Sequence, residues 1–254
     1  MNSVLSRFLR IASPVLRSVV LSLLTAVAPG LGEAYGQELP VAPPYLVGGT
    51  NHVLVGVVWD EAAIREALPS WLTPAKDVTG LIDIYQTGEV YGLAPYRAAY
   101  FSVDLEGFDS PSGVKGRWIL QGVYGPQDEA PVALKHWYGL PVRKGTSRFE
   151  ATAGGKRAFG AVNGEDFVSV EIKSLAQSCG RNLVSLNYVT PEGLLEIAVT
   201  GEACEAEPIS VEVHAPPGDP FAAFRPVKVL WAAEYKNGVV SEVHETVAEE
   251  DITT

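Results

Sequence analysis

The chain has 254 residues, 47% hydrophobic and 19% charged, an ordinary globular balance with enough apolar material for a substantial core. A formal net charge of -11 argues against a nucleic-acid partner, since phosphate binding needs clustered Lys and Arg to displace counterions. An acidic, well-solvated surface is the plain reading of that charge.

The N-terminus differs from the rest. Met1 to Arg17 carries Arg7, Arg10 and Arg17 and no acid, and Ser18 to Val27 is apolar. Ala34-Tyr35-Gly36 then supplies small residues at the spacing a signal peptidase reads, so residues 1–36 are expected to be an export signal cleaved before Gln37. The mature chain is therefore expected in the periplasm or outside the cell. A retained anchor is the rival reading. Val19 to Val27 is shorter than the roughly 20 apolar residues a bilayer requires, and Pro29, Gly30 and Gly32 follow at once. No membrane span is expected after cleavage. Removing residues 1–36 takes away the three arginines and Glu33 and leaves a net charge of -13.

Beyond a Pro-rich lead-in over Gln37 to Pro44, residues 37–254 read as one domain. His52 to Trp59 suits a strand buried on both sides, and Asp60 can cap a short helix from Glu61 to Ala67. Gly80 to Thr87, Arg97 to Asp104 and Lys115 to Tyr124 are strand-length stretches between Gly, Pro and Asp-Ser punctuation. Pro131 to Tyr138 fits helix or strand. Short strands continue over Arg148 to Ala153, Lys156 to Ala161, Phe167 to Lys173, Val184 to Val189, Leu194 to Thr200 and Ile209 to Val213. Turns are expected at Gly154-Gly155, Asn163-Gly164 and Pro191-Glu192-Gly193. A last hairpin is expected from Val227 to Tyr235 and Val239 to His244, joined by Lys236-Asn237-Gly238, because a tight turn favours Asn-Gly. The expected fold is mainly β, β-rich α+β: one antiparallel, closed or nearly closed barrel with a few short helices and room for a small ligand.

The only two cysteines, Cys179 and Cys204, both fall in the exported part, where a disulfide can persist. Pairing is expected; two buried thiols are the alternative. There is no G-x-S-x-G, H-E-x-x-H, P-loop or metal-spaced Cys pair. His52, His136, His214 and His244 are scattered, so neither a metal nor any other cofactor is expected.

The stretch from Gly113 to Arg148, GVKGRWILQGVYGPQDEAPVALKHWYGLPVRKGTSR, resembles the core of acetoacetate decarboxylases, with their G-R-E-x-x-G-[FY]-P-K-K signature. The likeness extends both ways at nearly constant spacing. Asp60 to Leu72 resembles that family's helix and Leu/Val-Pro-x-x-Leu element, and Leu81 to Tyr85 its acid-containing strand. Pro95-Tyr96-Arg97 resembles its approach to the pocket, and Phe221 to Ala233 its closing segment. The resemblance implies the family's barrel, a small-molecule ligand and a homo-oligomer.

In that family a lysine of Pro-Lys-Lys forms an imine with a β-keto acid, and a neighbouring lysine and desolvation lower its pKa. Here the motif reads Pro141-Val142-Arg143-Lys144. Without a gap Val142 takes the nucleophile's place and Arg143 the neighbour's, and neither side chain can form that imine. The strand acid is kept as Asp83, but the glutamate expected after Pro-Tyr-x is Ala98. Lys135 and His136 replace Arg-Glu, and the expected arginine aligns near Thr50. The catalytic candidates are Asp83, His136, Arg143 and Lys144. Tyr96, Arg97, Trp118, Tyr138 and Val142 are candidate pocket residues, as is Trp137. Arg143 can anchor a carboxylate or pair with Asp83. The leading expectation is a pocket for a small carbonyl, carboxylate or hydrophobic ligand without imine chemistry. The alternatives are a β-keto-acid decarboxylase or other carbon–carbon lyase using Lys144, and a non-catalytic envelope interaction protein with a filled interior.

Overall fold

The computed structural model describes residues 40–110, 113–191 and 193–245; the export segment expected over residues 1–36 lies outside them. The strands in chain order are β1 (Leu46–Trp59), β2 (Thr79–Gln86), β3 (Glu89–Val90), β4 (Arg97–Asp104), β5 (Gly116–Gly125) and β6 (Val142–Lys144). They are followed by β7 (Thr146–Thr152), β8 (Gly155–Val162), β9 (Glu165–Ser174), β10 (Gly180–Thr190), β11 (Gly193–Val213) and β12 (Pro226–Glu245). Helix α1 (Glu61–Ala67) starts at Asp60, whose side chain accepts from the Ala63 N–H at 2.9 Å, as expected of a cap. Helix α2 (Glu129–Tyr138) ends at Gly139 with φ of 61°, a left-handed cap that favours glycine.

One sheet joins all the strands. β10, β5, β4, β2, β1, β12 and β11 follow one another, and β11 pairs back with β10, closing a ring of seven. β9, β8 and β7 continue outward from β11. Neighbours are antiparallel except β5 with β10 and β5 with β6. The mainly β ring with few helices matches the expected class.

Side-chain alternation sorts the core into two parts. Val53, Val55 and Val57 of β1, Ile82 and Ile84 of β2, and Phe101 and Val103 of β4 pack with Val170 and Ile172 of β9 and with Phe221. The alternate residues of β2 and β4 face the ring's interior, where Tyr85 and Tyr100 meet Tyr124 of β5, Tyr188 of β10 and Ala133, Leu134 and Tyr138 of α2. Burying each large aliphatic side chain contributes roughly 1.5–3 kcal/mol. α2 settles the region left open between helix and strand: its buried residues include Ala130, Ala133, Leu134 and Tyr138, a helical spacing that packs one face against the inner tyrosines.

The expected hairpin at Lys236-Asn237-Gly238 is not formed. β12 runs unbroken from Pro226 to Glu245, paired along its length between β1 and β11. Asn237 takes a positive φ of 51°, but as part of an irregularity in the ladder. Gly238 is needed for close approach, since a Cβ there would lie 2.4 Å from Thr50 Oγ1. The Asn-Gly pair therefore marks a bulge at a crowded crossing. Likewise Leu194 to Thr200 and Ile209 to Val213 are parts of the single strand β11. Asn163 and Gly164, at φ of 53° and 85°, do make the expected tight turn between β8 and β9. Cys179 and Cys204 are bonded, with Cα atoms 4.0 Å apart, next to the β10–β11 pair Gly180 and Ala203.

Candidate functional site

The site is built by residues two apart on neighbouring strands. Asp83 and Tyr85 on β2, Ala98 and Tyr100 on β4, Gly122 and Tyr124 on β5, and Leu186 and Tyr188 on β10 each share a face. Strand pairing sets Asp83 opposite Tyr100 and Tyr100 opposite Gly122. In the adjacent row His52, Tyr85, Ala98 and Tyr124 are successive partners across four strands. Ala98 stands between Tyr85 and Tyr124, and Gly122 lets Tyr124, Val142 and Tyr100 close over it, since a Cβ there would lie 3.1–3.3 Å from each.

That cavity has about 60 Å³ of free space, lined by phenols and aliphatic side chains with Asp83 and His52 among them. A single water needs roughly 10–15 Å³ on this measure, so the space suits a few waters or a molecule of a few heavy atoms. Leu134 of α2 and Leu140, just beyond its cap, close part of the wall. Among the described residues no lysine or arginine lines it.

The polar groups form one chain of hydrogen bonds. Asp83 is 1% exposed, and its Oδ1 and Oδ2 lie 3.2 and 3.1 Å from His52 Nδ1. The Tyr100 hydroxyl donates to Asp83 Oδ2 at 2.9 Å and lies 2.7 Å from the Tyr188 hydroxyl. A phenol has one proton to give, so Tyr188 is the donor to Tyr100. His52 stacks on Tyr85, with ring centroids 4.7 Å apart and planes 9° from parallel. Its Nε2 is buried and has no hydrogen-bond partner among the described residues.

The phenols remain hydroxyls. Burial pushes Tyr85, Tyr100 and Tyr124 well above the ordinary tyrosine value, and the Asp83 carboxylate adds to the effect at Tyr100. Burial also takes Tyr188 up to about 12, outweighing the Arg117 charge.

Of the residues singled out in the sequence, Asp83 and Tyr96 line the cavity. Val142 and Tyr138 are buried beside it, Val142 of β6 opposite Gly122 of β5 and Tyr138 edge-on to Tyr45 at 6.5 Å. Trp118 belongs to the other part of the core, edge-on to Trp71 at 6.0 Å, because its neighbour Ile119 takes the inward face. Arg97 and His136 are exposed, His136 on the outer face of α2 against the half-buried Trp137. Arg143 pairs with Asp219, not Asp83, at 2.6 and 2.8 Å, and lies over the Phe221 ring. The Lys144 side chain is 58% exposed, with Nζ 3.0 Å from the exposed Asp128 carboxylate. Sequence reasoning missed His52, Tyr100 and Tyr188; the available signal was Tyr100, four positions from Tyr96 and so on the same face of an extended chain. One group of possible metal ligands comes together among the described residues, Cys179, Glu202 and Cys204, and its sulfurs are bonded to each other. No described helix is long and apolar enough to cross a membrane.

No family model and no curated protein matches this sequence. Solved structures do. An acetoacetate decarboxylase matches with a TM-score of 0.63 at 13% identity, over 83% of this chain and 92% of its own. The acetoacetate decarboxylase of Legionella pneumophila also scores 0.63, at 12% identity over 86% and 93%. The enduracididine biosynthesis enzyme MppR, complexed with pyruvate, scores 0.55 at 16% identity over 84% and 93%. At these identities the likeness defines the fold.

Proposed function

We propose that this chain, which has the acetoacetate decarboxylase-like fold, is an exported small-molecule protein. Its ring encloses a small carbonyl, carboxylate or hydrophobic ligand without forming an imine to it. The observation that carries this reading is the cavity holding the Asp83, His52, Tyr100 and Tyr188 cluster, with no lysine among its described lining residues. Apolar walls with a few convergent polar groups are the usual makeup of a ligand site. Val142 at the family nucleophile's position, and Lys144 at an exposed ion pair, support the absence of imine chemistry. The pyruvate complex of MppR supports a ligand of about that size.

Native mass spectrometry of the protein recovered from the cell envelope tests the reading. The expected result is a chain beginning at Gln37 with a small molecule bound, and the same spectrum reports whether it assembles as a homo-oligomer. A chain retaining residues 1–36 in the cytoplasmic fraction would contradict export. A ligand-free chain that takes up no small carbonyl compound would contradict the pocket.

A further inference from the structure

We propose that His52 is the general base of this pocket, removing a proton from the carbon beside the carbonyl of a small neutral ketone, with Asp83 as its positioning residue. The proposal rests on the pocket reading above and adds a reaction and a substrate class to it.

The geometry of the His52 ring is the starting point. The residue is 6% exposed and lines the cavity, with Nδ1 committed to the Asp83 carboxylate. In the neutral ring a carboxylate at Nδ1 holds the proton on that nitrogen, which places the lone pair on Nε2. Buried nitrogens nearly always have a partner, yet this Nε2 has none among the described residues. A ligand in the cavity becomes its partner once the side chains that close Nε2 to a water-sized molecule shift.

The base is also held still. Stacking on Tyr85 fixes the plane of the ring, and the carboxylate that orients it is fixed by Tyr100, which Tyr188 fixes in turn. A base whose orientation is set before the ligand arrives is what proton transfer from carbon needs. The arrangement is an imidazole oriented by a carboxylate, with no nucleophile attached.

The charge in the cavity selects the ligand. Asp83 is the only carboxylate among the described lining residues, and no lysine or arginine accompanies it. An anionic ligand would meet a like charge in a poorly solvated space, so a neutral carbonyl compound is favoured. The free volume restricts it to a few heavy atoms.

The step balances without a co-reactant. The α carbon–hydrogen bond breaks and a bond from hydrogen to Nε2 forms. The carbon–hydrogen electron pair becomes the C=C bond of the enolate, and the carbonyl π pair moves to oxygen. The phenol of Tyr124, which also lines the cavity and shares a hydrogen bond with Tyr85, would turn its proton to that oxygen. Returning the proton to carbon restores the ketone.

Hydroxyacetone in D2O tests this with the full chain. Proton NMR reads replacement of its carbon-bound hydrogens by deuterium, and saturation transfer reads its binding. Binding with exchange above the buffer rate is expected, with pyruvate exchanged more slowly. His52→Gln should still bind hydroxyacetone but exchange at the buffer rate. Asp83→Asn should lower the maximal rate about 10²–10⁴-fold while changing the half-saturating concentration little, a split that a merely structural role would not give. Lys144→Ala should exchange as the wild type does. If His52→Gln fails to fold, Asp83→Asn decides. Binding without exchange would overturn the base and leave the pocket reading intact. Exchange undiminished in His52→Gln would also overturn it. Pyruvate exchanged as fast as hydroxyacetone would overturn the neutral-ligand class. No binding of hydroxyacetone would overturn the proposal, and the envelope-derived spectrum then judges the pocket separately.

Discussion

Asp83 Oδ2 lies 3.1 Å from His52 Nδ1, joining residues that are 31 positions apart and diagonal to each other across the β1–β2 ladder. Tyr100 completes the contact from the next strand. Its hydroxyl serves a charged acceptor, whereas the Tyr188 hydroxyl serves a neutral one. Tyr100→Phe should therefore cost about 1.5–3 kcal/mol of stability and Tyr188→Phe about 0.5–1.5 kcal/mol. Urea unfolding of the two variants gives the order, and equal costs would mean that the chain of hydrogen bonds does not run through Tyr100.

Glu234 makes acid stability specific to one site. Burial raises its carboxyl, but hydrogen bonds from Lys156 and Ser174, the Lys156 charge and Lys236 outweigh burial and hold it below the ordinary glutamate value. A depressed carboxyl stabilises the fold fully above its unfolded value, about 4.3, and loses that contribution as pH falls through the folded value. The stability gap between wild type and Glu234→Gln should be constant near neutrality and close below about pH 4. Urea midpoints measured from pH 7 to pH 3 check it; a gap that widens on acidification would contradict the sign.

The disulfide closes a loop with a sequence separation of 25. Replacing both Cys179 and Cys204 by Ser should cost about 3 kcal/mol, chiefly through the freedom regained by the unfolded chain. Thermal unfolding with and without reductant reads this, and reductant should lower the wild-type midpoint while leaving that of the double variant unmoved.

Gly238 and Thr50 should behave as a coupled pair. A Cβ at 238 would sit 2.4 Å from Thr50 Oγ1, and that buried oxygen has no hydrogen-bond partner among the described residues. Gly238→Ala should cost about 1–3 kcal/mol by overpacking. Thr50→Ala should recover most of the loss, so the double variant is more stable than the sum of the singles predicts. Additive costs would show that the strain lies in the backbone.

Local chemistry made much of the fold legible. The Asp60 cap, the Asn163-Gly164 turn and most strand cores follow from residue type and alternation. Asn237-Gly238 misled because a turn and a bulge ask for the same residues, and only the flanking strands β1 and β11 distinguish them. The site was legible at Asp83 and Tyr96. Trp118 and Arg97 lie one position from inward-facing Ile119 and Tyr96, and in a strand one position is the difference between two faces. His52 carried no mark of its own; its meaning comes from β2, which brings Asp83 alongside.

The central claim is a ligand pocket that works without a lysine imine, and borohydride trapping addresses it directly. The full chain is incubated separately with acetoacetate and with pyruvate, reduced, and weighed as the intact protein. No covalent adduct is expected with either compound, since Val142 stands where the amine would be and Lys144 is held at Asp128 on the surface. A stoichiometric reduced adduct mapping to Lys144 would contradict the account.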